Sequence, residues 1–438
     1  MRQISCVHAT PEQGPARASR VLSQIFGKGR KASKSFILAT VFLDVLGIGL
    51  IIPVLPALVG QFTASPEEQA YWYGLLAATY GVVQFFCTPV LGALSDRFGR
   101  RPVLLLSIFG LSCSLMVQAL ANSLLTLLLI RIVSGATGAS FSVANAYMAD
   151  ITEPDQRGKA FGLLGAAFGA GFIVGPMLGG LLGGQDVRLP FFVAAGMAGL
   201  NFLYGWFVLP ESLPVQRRAA FSLSRANPFS ALAHLGRLRA VGGLIGVFAL
   251  SVFAQFILQT TWVLYTLFRF GWGPTQNGML LFTVGLASVA VQGGLQGRLI
   301  KRFGEERLAL LGLSSGAVAF LLYGLANHGW MMFFIVCANV FGIATGPALQ
   351  TIVSRAVGPT EQGLTQGALT AINSVAIIFA PLVGAAILAA VSHLPPNDWR
   401  MGATFFLCSA LQVAALLLAL LHFRRMGFGW PEKRKPAA

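Results

Sequence analysis

Twelve long apolar runs divide this chain of 438 residues, and each of them is long enough to cross a lipid bilayer as an α-helix. A helix needs about 20 residues to cross the hydrocarbon core, where every backbone N–H and C=O must be bonded within the protein. The pattern therefore predicts an all-α membrane protein. The expected spans 1 to 12 are residues 36–58, 70–93, 102–122, 124–149, 158–183, 189–209, 240–267, 276–300, 306–326, 330–354, 362–391 and 401–423.

Composition narrows the function classes. Hydrophobic residues make up 55% of the chain and charged residues 11%, whereas soluble domains carry about 25% charged residues. The segments between spans hold no nucleic-acid-binding signature and no GxxxxGK[ST] phosphate loop, so we expect neither nucleic acid nor ATP as a partner. No nucleophile–base pair or metal-ligand spacing is visible, and the scattered cysteines indicate ordinary core residues. We expect no enzyme, no cofactor and no metal site.

The positive charges indicate the orientation in the membrane. If the N-terminus is cytoplasmic, 27 of the 31 Lys and Arg residues lie in cytoplasmic segments and 3 in the opposite loops. This bias predicts a multi-pass protein of the cytoplasmic (inner) membrane with both termini in the cytoplasm. The expected division is a basic extension (1–35), a first half (36–209), a cytoplasmic linker (210–239), a second half (240–423) and a basic tail (424–438).

The two halves are related by an internal repeat at an offset of 205 residues. The motif Gly92-x-Leu94-x-x-Arg97-Phe98-Gly99 recurs as Gly297-x-Leu299-x-x-Arg302-Phe303-Gly304. The same offset places Gly158 on Gly363, Gly162 on Gly367, Pro176 on Pro381 and Gly179 on Gly384. One offset in two separate helix pairs predicts two pseudo-symmetric six-helix halves, as in transporters built from parallel repeats.

Several motifs together resemble the major facilitator superfamily. The turn Gly92–Pro102 is similar to that family's loop between helices 2 and 3, and Arg131, Gly135 and Gly138 resemble the helix 4 motif of its proton-coupled members. The resemblance runs from about Phe36 to Arg425.

Two narrower resemblances concern helix 5 and helix 1. Span 5 is similar to the drug/proton antiporter signature, through Gly162, Gly171, Gly175, Pro176, Gly179 and Gly180. The stretch Leu43–Pro56, together with Trp262-Val263-Leu264 and Arg269-Phe270-Gly271-Trp272, resembles the tetracycline efflux proteins. These glycines leave a flat face for close helix packing, and Pro176 is expected to bend the helix.

Two charged residues lie deep inside spans. Asp44 is about eight residues, roughly 12 Å, inside span 1, and the other acids lie in loops, tails or helix ends. An ionised Asp or Arg at mid-bilayer costs about 2.5–3.5 kcal/mol on insertion scales, so Asp44 and Arg131 should point into the bundle at similar depths, near enough to pair through water. The resemblance implies that Asp44 binds a proton or substrate. Structural pairing alone is the alternative for both residues.

The charged turn is expected to be a gate. Asp96 can cap the N-terminus of a helix in the other half, and Arg100 can meet Asp150 at the end of span 4. Arg97 and Arg101 complete the turn. Such contacts would hold the cytoplasmic side closed, although a merely solvated turn is the alternative. In the second copy, Lys301 stands where Asp96 stands in the first.

Polar and aromatic residues within spans are the candidate substrate contacts, because buried amides need partners. They are Tyr80, Gln84, Asn145, Gln255, Gln259, Trp262, Tyr265, Gln292 and Asn373. For each, ordinary packing is the competing interpretation.

Two acidic positions of the tetracycline exporters are not acidic here. Alignment with that family places its helix 3 carboxylate on Ser114 and its helix 9 carboxylate on Gly316. This departure does not favour a metal-chelated tetracycline. Asp44 alone is still sufficient to couple one proton.

The hypothesis that fits these patterns is a proton-coupled antiporter that exports a small drug-like amphiphile of the tetracycline type, and thereby confers antibiotic resistance. The alternative is a transporter of an endogenous metabolite, such as a sugar or siderophore, on the same scaffold. A membrane sensor is disfavoured, since residues 1–35 and 210–239 hold no foldable signalling domain.

Overall fold

The computed structural model describes residues 34–219, 242–356 and 362–425, and no strand occurs among them. Residues 1–33 of the expected extension, 220–239 of the expected linker and 426–438 of the expected tail lie outside the described residues. We number the helices by span. They are α1a (Lys34–Ile51), α1b (Leu55–Gly60), α2 (Pro66–Phe98), α3 (Arg100–Ala119), α4a (Leu124–Thr137), α4b (Ser140–Asp150), α5 (Arg157–Gly183), α6 (Leu189–Val208), α7 (Gly242–Phe270), α8a (Pro274–Ser288), α8b (Gln296–Phe303), α9 (Glu305–Leu325), α10a (Gly329–Ala338), α10b (Val340–Arg355), α11 (Gln362–Val391) and α12 (Ala403–Arg425).

The helices confirm the all-α membrane class. In the described part of the chain, eleven are long and apolar enough to cross a membrane, and α10a with α10b, bent by 48°, would complete a twelfth span. The sequence predicts unbroken helices for spans 1, 4, 8 and 10, but in the structure spans 1, 4 and 10 are interrupted. Span 8 changes locally to a π-helix over Val289–Leu295, and such segments frequently occur at functional sites.

The two halves meet closely at one face of the molecule. We call the side where Lys34 begins and α2 ends the terminal face, and the other side the opposite face. Toward the opposite face, α2 of the first half packs on α11 of the second half, and α5 of the first half packs on α8a of the second half. A methyl group built on Gly180 would lie 2.8 Å from Cα of Gly278, and one on Gly74 would lie 2.4 Å from Cβ of Ala385. This side is therefore closed.

The halves are separated at the terminal face. Among the described residues, no atom lies within 4 Å of a methyl group built on the glycines of the terminal halves of α5 and of span 8, which are Gly158, Gly162, Gly165, Gly169, Gly293, Gly294 and Gly297. The central cavity consequently opens toward the terminal face.

The repeated turn after α2 has a counterpart of the same shape after α8b. Gly99 has φ 109° and ψ 158°, and Gly304 has φ 78° and ψ 162°. Side-chain-bearing residues rarely adopt this backbone region. The repeat found in the sequence is thus a repeat of backbone geometry.

Candidate functional site

Asp44 lies inside the first half and is 4% exposed. Its Oδ2 accepts a hydrogen bond of 2.5 Å from the Ser140 hydroxyl, while no described residue bonds to its buried Oδ1. Because Ser140 is the first residue of α4b, the carboxylate lies beside the positive N-terminal end of that helix. Both contacts stabilise a negative charge on Asp44.

The break in span 4 is what brings Ser140 to Asp44. The hydroxyls of Ser134 and Thr137 donate to the carbonyl oxygens of Ile130 and Val133, one turn back, a bond that competes with the helix ladder. The helix then ends at Thr137 and restarts at Ser140. A helix that continued unbroken would have no free N-terminus at this depth.

Gln84 of α2 bonds to a carbonyl group at the break. Its Nε2 donates to the carbonyl oxygen of Gly138 at 2.9 Å and lies 3.1 Å from the hydroxyl oxygen of Tyr80. A methyl group on Gly138 would approach both side chains to 3.1 Å. Two of the predicted substrate contacts, Tyr80 and Gln84, therefore lie beside the break in span 4 that brings Ser140 to Asp44.

Arg131 points into the same region from α4a and is 9% exposed. Its guanidinium carbon lies 5.9 Å from the ring centroid of Tyr80, within range of a cation–π interaction. Among the described residues, Arg131 has no hydrogen bond or ion pair, so the direct Asp44–Arg131 pair does not form in this conformation. Tyr80 lies within electrostatic range of both charges.

The charged turn contains the expected contact between Arg100 and Asp150, with Nε 3.1 Å from Oδ2. Asp96, however, pairs with Arg100 in its own half, at 2.6 Å. No described residue of the second half meets it, because the halves are apart at this face. The expected cap across the halves is therefore not formed in this conformation, and the gating role of Asp96 stays a prediction.

Glu211, which follows α6, completes this turn and was missed by the sequence reasoning. Its carboxylate accepts hydrogen bonds from the backbone N–H groups of Arg100 and Arg101, at 2.8 and 3.3 Å. Since Gly99 has no side chain with which to cap α3, Glu211 serves as the cap from 111 residues away. The signal that could have found it is an acid directly after Pro210, at the end of an apolar span.

The other two arginines of the turn differ in environment. Arg101 donates from Nη2 to the carbonyl oxygen of Trp206, which ties α3 to α6. Arg97 lies over the ring of Phe98, 5.1 Å from its centroid. Neither residue contacts the second half within the described residues.

The helix 5 motif packs on two partners rather than one. Methyl groups built on Gly171 and Gly175 would lie 2.9 Å from Phe42 O and 2.7 Å from Gly49 Cα of α1a, whereas Gly180 faces α8a. Gly179 lies against Leu50 of α1a, and Gly162 faces open space. The helix runs through Pro176 without a break.

The remaining predicted substrate contacts fall into two groups. Gln255 and Gln259 on α7 and Gln292 in the π segment are exposed, and Asn145 is half-buried. Asn145 and Asn373 each donate to the carbonyl oxygen one turn back in their own helix. Their role as substrate contacts stays a prediction.

Trp262 and Tyr265 are the exceptions, since both are buried in the core of the second half. The Tyr265 hydroxyl donates to the carbonyl oxygen of Tyr323, and the Trp262 ring packs edge-on against Tyr323 and Phe405. The sequence predicted both as substrate contacts, whereas in this conformation both pack within an aromatic cluster of the second half.

Arg269, from the motif at the end of α7, is a structural residue. Its guanidinium donates to the carbonyl oxygens of Ala326 and Asp398 and to Oδ1 of Asn327. These bonds join three loops at the opposite face, beneath an open pocket of about 610 Å³. The residues that line this pocket belong to the second half, whereas Asp44 lies in the first half.

The two positions that lack an acid are closed. Ser114 is fully buried and its hydroxyl donates to Leu111 O. A methyl group on Gly316 would lie 3.7 Å from the Gln412 side chain. Neither position presents a titratable group to the cavity.

Comparisons with known proteins agree with this architecture. The family model of the Major Facilitator Superfamily matches residues 37–295 and 244–437. The class C tetracycline resistance protein of Escherichia coli is 41% identical over 372 residues, which cover 85% of this chain and 93% of that protein. The class B tetracycline resistance protein of Escherichia coli is 35% identical, covering 86% and 93%. The crystal structure of the human organic anion transporter MFSD10 superimposes with a TM-score of 0.64 at 26% identity, covering 88% of this chain and 98% of that one.

Proposed function

The chain belongs to the major facilitator superfamily and is a membrane transporter, and we propose that it exports a drug-like amphiphile in exchange for protons. Its relatives named tetracycline resistance proteins support a drug as the cargo. The charge bias of the sequence supports placing the terminal face in the cytoplasm.

One observation carries the proposal: a buried carboxylate, Asp44, lies inside the first half beside the N-terminus of the half helix α4b. Among the described residues it is the one acid in the interior of a span. A carboxyl group can bind and release a proton, whereas the guanidinium of Arg131 keeps its charge at all physiological pH values. Asp44 is therefore the group that holds the exchanged proton.

Alternating access supplies the coupling. In the form described here, the cavity opens to the terminal face, and Ser140 and the α4b N-terminus stabilise an ionised Asp44. The proton is released to the cytoplasm in this form, and the drug enters. When the halves rock to open the opposite face, the drug leaves and Asp44 takes up a proton from outside.

The cargo we propose is an uncomplexed drug-like amphiphile. Amide and aromatic groups on both halves, including Tyr80, Gln84, Gln255 and Gln259, offer hydrogen bonds and ring contacts to such a molecule. The absence of acids at Ser114 and Gly316 leaves a cation-chelated drug without the carboxylates that its charge would require. A single carboxylate suits the exchange of one proton per cycle.

Purified protein in proteoliposomes tests this proposal. Uptake of a radiolabelled tetracycline or another amphiphilic drug should follow an imposed pH gradient and vanish when the gradient is dissipated. The Asp44→Asn variant should lose gradient-driven uptake while still exchanging drug for drug. Asp96→Asn serves as the matched acid-to-amide control, which keeps its dependence on the gradient. Gradient-driven uptake at the wild-type rate in Asp44→Asn would refute the mechanism.

A further inference from the structure

Near Asp44, the packing of α1a on α6 buries polar groups that the proposed mechanism does not use. Thr40 lies one helical turn before Asp44 on α1a, and it is 1% exposed. Asn201 of α6 is 0% exposed, and its Nδ2 donates to the carbonyl oxygen of Thr40 at 3.0 Å. Thr40 and Asn201 therefore belong to the interface between α1a and α6.

Each of the three residues leaves one buried oxygen without a bond to any described residue. The atoms are Oδ1 of Asp44, Oγ1 of Thr40 and Oδ1 of Asn201. A buried polar atom without a partner destabilises the fold, so three of them around one stretch of α1a call for a common explanation.

Helix geometry and one hydrogen bond place the three side chains near one another. Side chains four residues apart on a helix lie about 5–6 Å from each other at Cβ, which is the spacing of Thr40 and Asp44. The carbonyl oxygen of Thr40 points along the helix toward the amide of Asp44, because helical bonds run from residue i to residue i+4. The amide group of Asn201, bonded to that carbonyl, therefore lies at the height of Asp44.

We propose that Asp44, Thr40 and Asn201 together bind a buried water molecule that carries the proton between Asp44 and the terminal face, along α6 and apart from the drug cavity. This inference rests on the proposed proton-coupled function. Buried waters typically make about three hydrogen bonds to otherwise unsatisfied groups. The water accepts from the Thr40 hydroxyl and donates to the oxygens of Asp44 and Asn201, so that all three buried atoms are satisfied.

Proton transfer through this site conserves atoms and charge. Protonated Asp44 gives its proton to the water, and the water gives one of its own to Thr40 Oγ1. The Thr40 hydroxyl releases its original proton to solvent entering from the terminal face. Asn201, an amide, takes no proton and positions the water. Rotation of the Thr40 hydroxyl and of the water restores the starting arrangement.

Two aromatic rings lie at the terminal end of this route. Phe36, one turn before Thr40, packs edge-on against Tyr204 of α6 with ring centroids 6.1 Å apart, and both residues are half-buried. The titratable or charged groups of the described residues on the surrounding helices include Tyr80 on α2, Arg131 on α4a, Tyr147 and Asp150 on α4b, and Tyr204 on α6. On α5 they are confined to its terminal end, at Arg157 and Lys159.

Transport with Thr40→Val and Asn201→Leu tests the route. Gradient-driven drug uptake should fall at least tenfold in each variant, while drug-for-drug exchange and drug affinity stay at wild-type values. Thr40→Ser keeps a hydroxyl and should retain uptake. The matched control is Thr261→Val on α7, where a Thr that is also 1% exposed bonds to its own helix at Ile257 O.

Difference infrared spectra between acidic and neutral pH add a second measurement, which a purely structural role of Thr40 would leave unchanged. The band of protonated Asp44, identified by its loss in Asp44→Asn, should shift in Thr40→Val and keep its position in Thr261→Val. An unshifted band with unchanged gradient-driven uptake in Thr40→Val would overturn the route. Loss of drug exchange and affinity together with uptake would overturn it as well, because it would show a structural role. If wild-type protein ignores the pH gradient, the proposed function itself fails.

Discussion

The hydroxyl of Ser140 lies 2.5 Å from Oδ2 of Asp44, although the two residues are 96 positions apart. The contact joins the first residue of α4b to the acid in the middle of α1a. A shift of span 4 against span 1 within the first half would change the hydrogen bond on Asp44. We propose that protonation and conformation are linked through this contact.

Ser140→Ala tests that link. A hydrogen bond to a charged group contributes about 1.5–3 kcal/mol, which corresponds to roughly a tenfold or greater change in rate. We expect gradient-driven uptake to fall by about that factor, with drug affinity retained, as measured in proteoliposomes. Ser374→Ala, which removes a hydroxyl bonded to its own helix at Thr370 O, should leave uptake unchanged. Equal rates in the two variants would show that the bond has no part in coupling.

Gly99→Ala and Gly304→Ala form a matched pair for stability. Both glycines have positive φ, a conformation that costs other residues about 1–3 kcal/mol. A methyl group on Gly99 would also lie 2.3 Å from the Glu211 carboxylate, whereas none of the described atoms approaches Gly304 within 4 Å. Thermal unfolding of detergent-solubilised protein should therefore show a larger loss of Tm for Gly99→Ala. An equal loss would argue against Glu211 as the cap of α3.

Asp96→Asn probes the gate at the terminal face. Asp96 is half exposed and pairs with Arg100 here, so its removal should leave the cavity wall intact. We expect turnover to fall several-fold because the closed form of this face loses a charged contact, while KM stays near the wild-type value. Kinetics of initial uptake rates separate the two quantities. A large rise in KM would contradict a gating role and indicate a part in drug binding.

A disulfide at the opposite face tests alternating access. A methyl group on Gly184 would lie 2.2 Å from Oγ1 of Thr275, so the Gly184→Cys, Thr275→Cys variant should cross-link α5 to α8a when oxidised. Disulfides need Cβ atoms about 3.5–4.5 Å apart. Oxidation should abolish transport and a reductant should restore it, since this face must open to release the drug.

The single-cysteine variants control for the side chains themselves. Each should transport at the same rate with and without oxidant, which also excludes effects on the native cysteines. Full transport in the oxidised double variant, with the cross-link confirmed by mass spectrometry, would contradict opening at this face.

The sequence alone determined the spans and the repeat. Apolar length is a local property, so the twelve runs and the intramembrane position of Asp44 could be read from residue order. The offset of 205 predicted two similar halves, and Gly99 and Gly304 share their backbone conformation as that repeat requires. The motifs indicated the family, which the comparisons confirm.

Only the tertiary structure decided which distant residues meet. Helical periodicity gives the depth of a side chain along its own axis, but the partner across an interface depends on how the helices pack. For that reason the sequence did not show that Asp44 contacts Ser140 rather than Arg131, or that Glu211 caps α3. Nor did it show the hydrogen bond from Asn201 to the Thr40 carbonyl oxygen. The sequence predicted Trp262 as a substrate contact and did not show its burial, because the aromatic residues that bury it, Tyr323 and Phe405, come from two other helices.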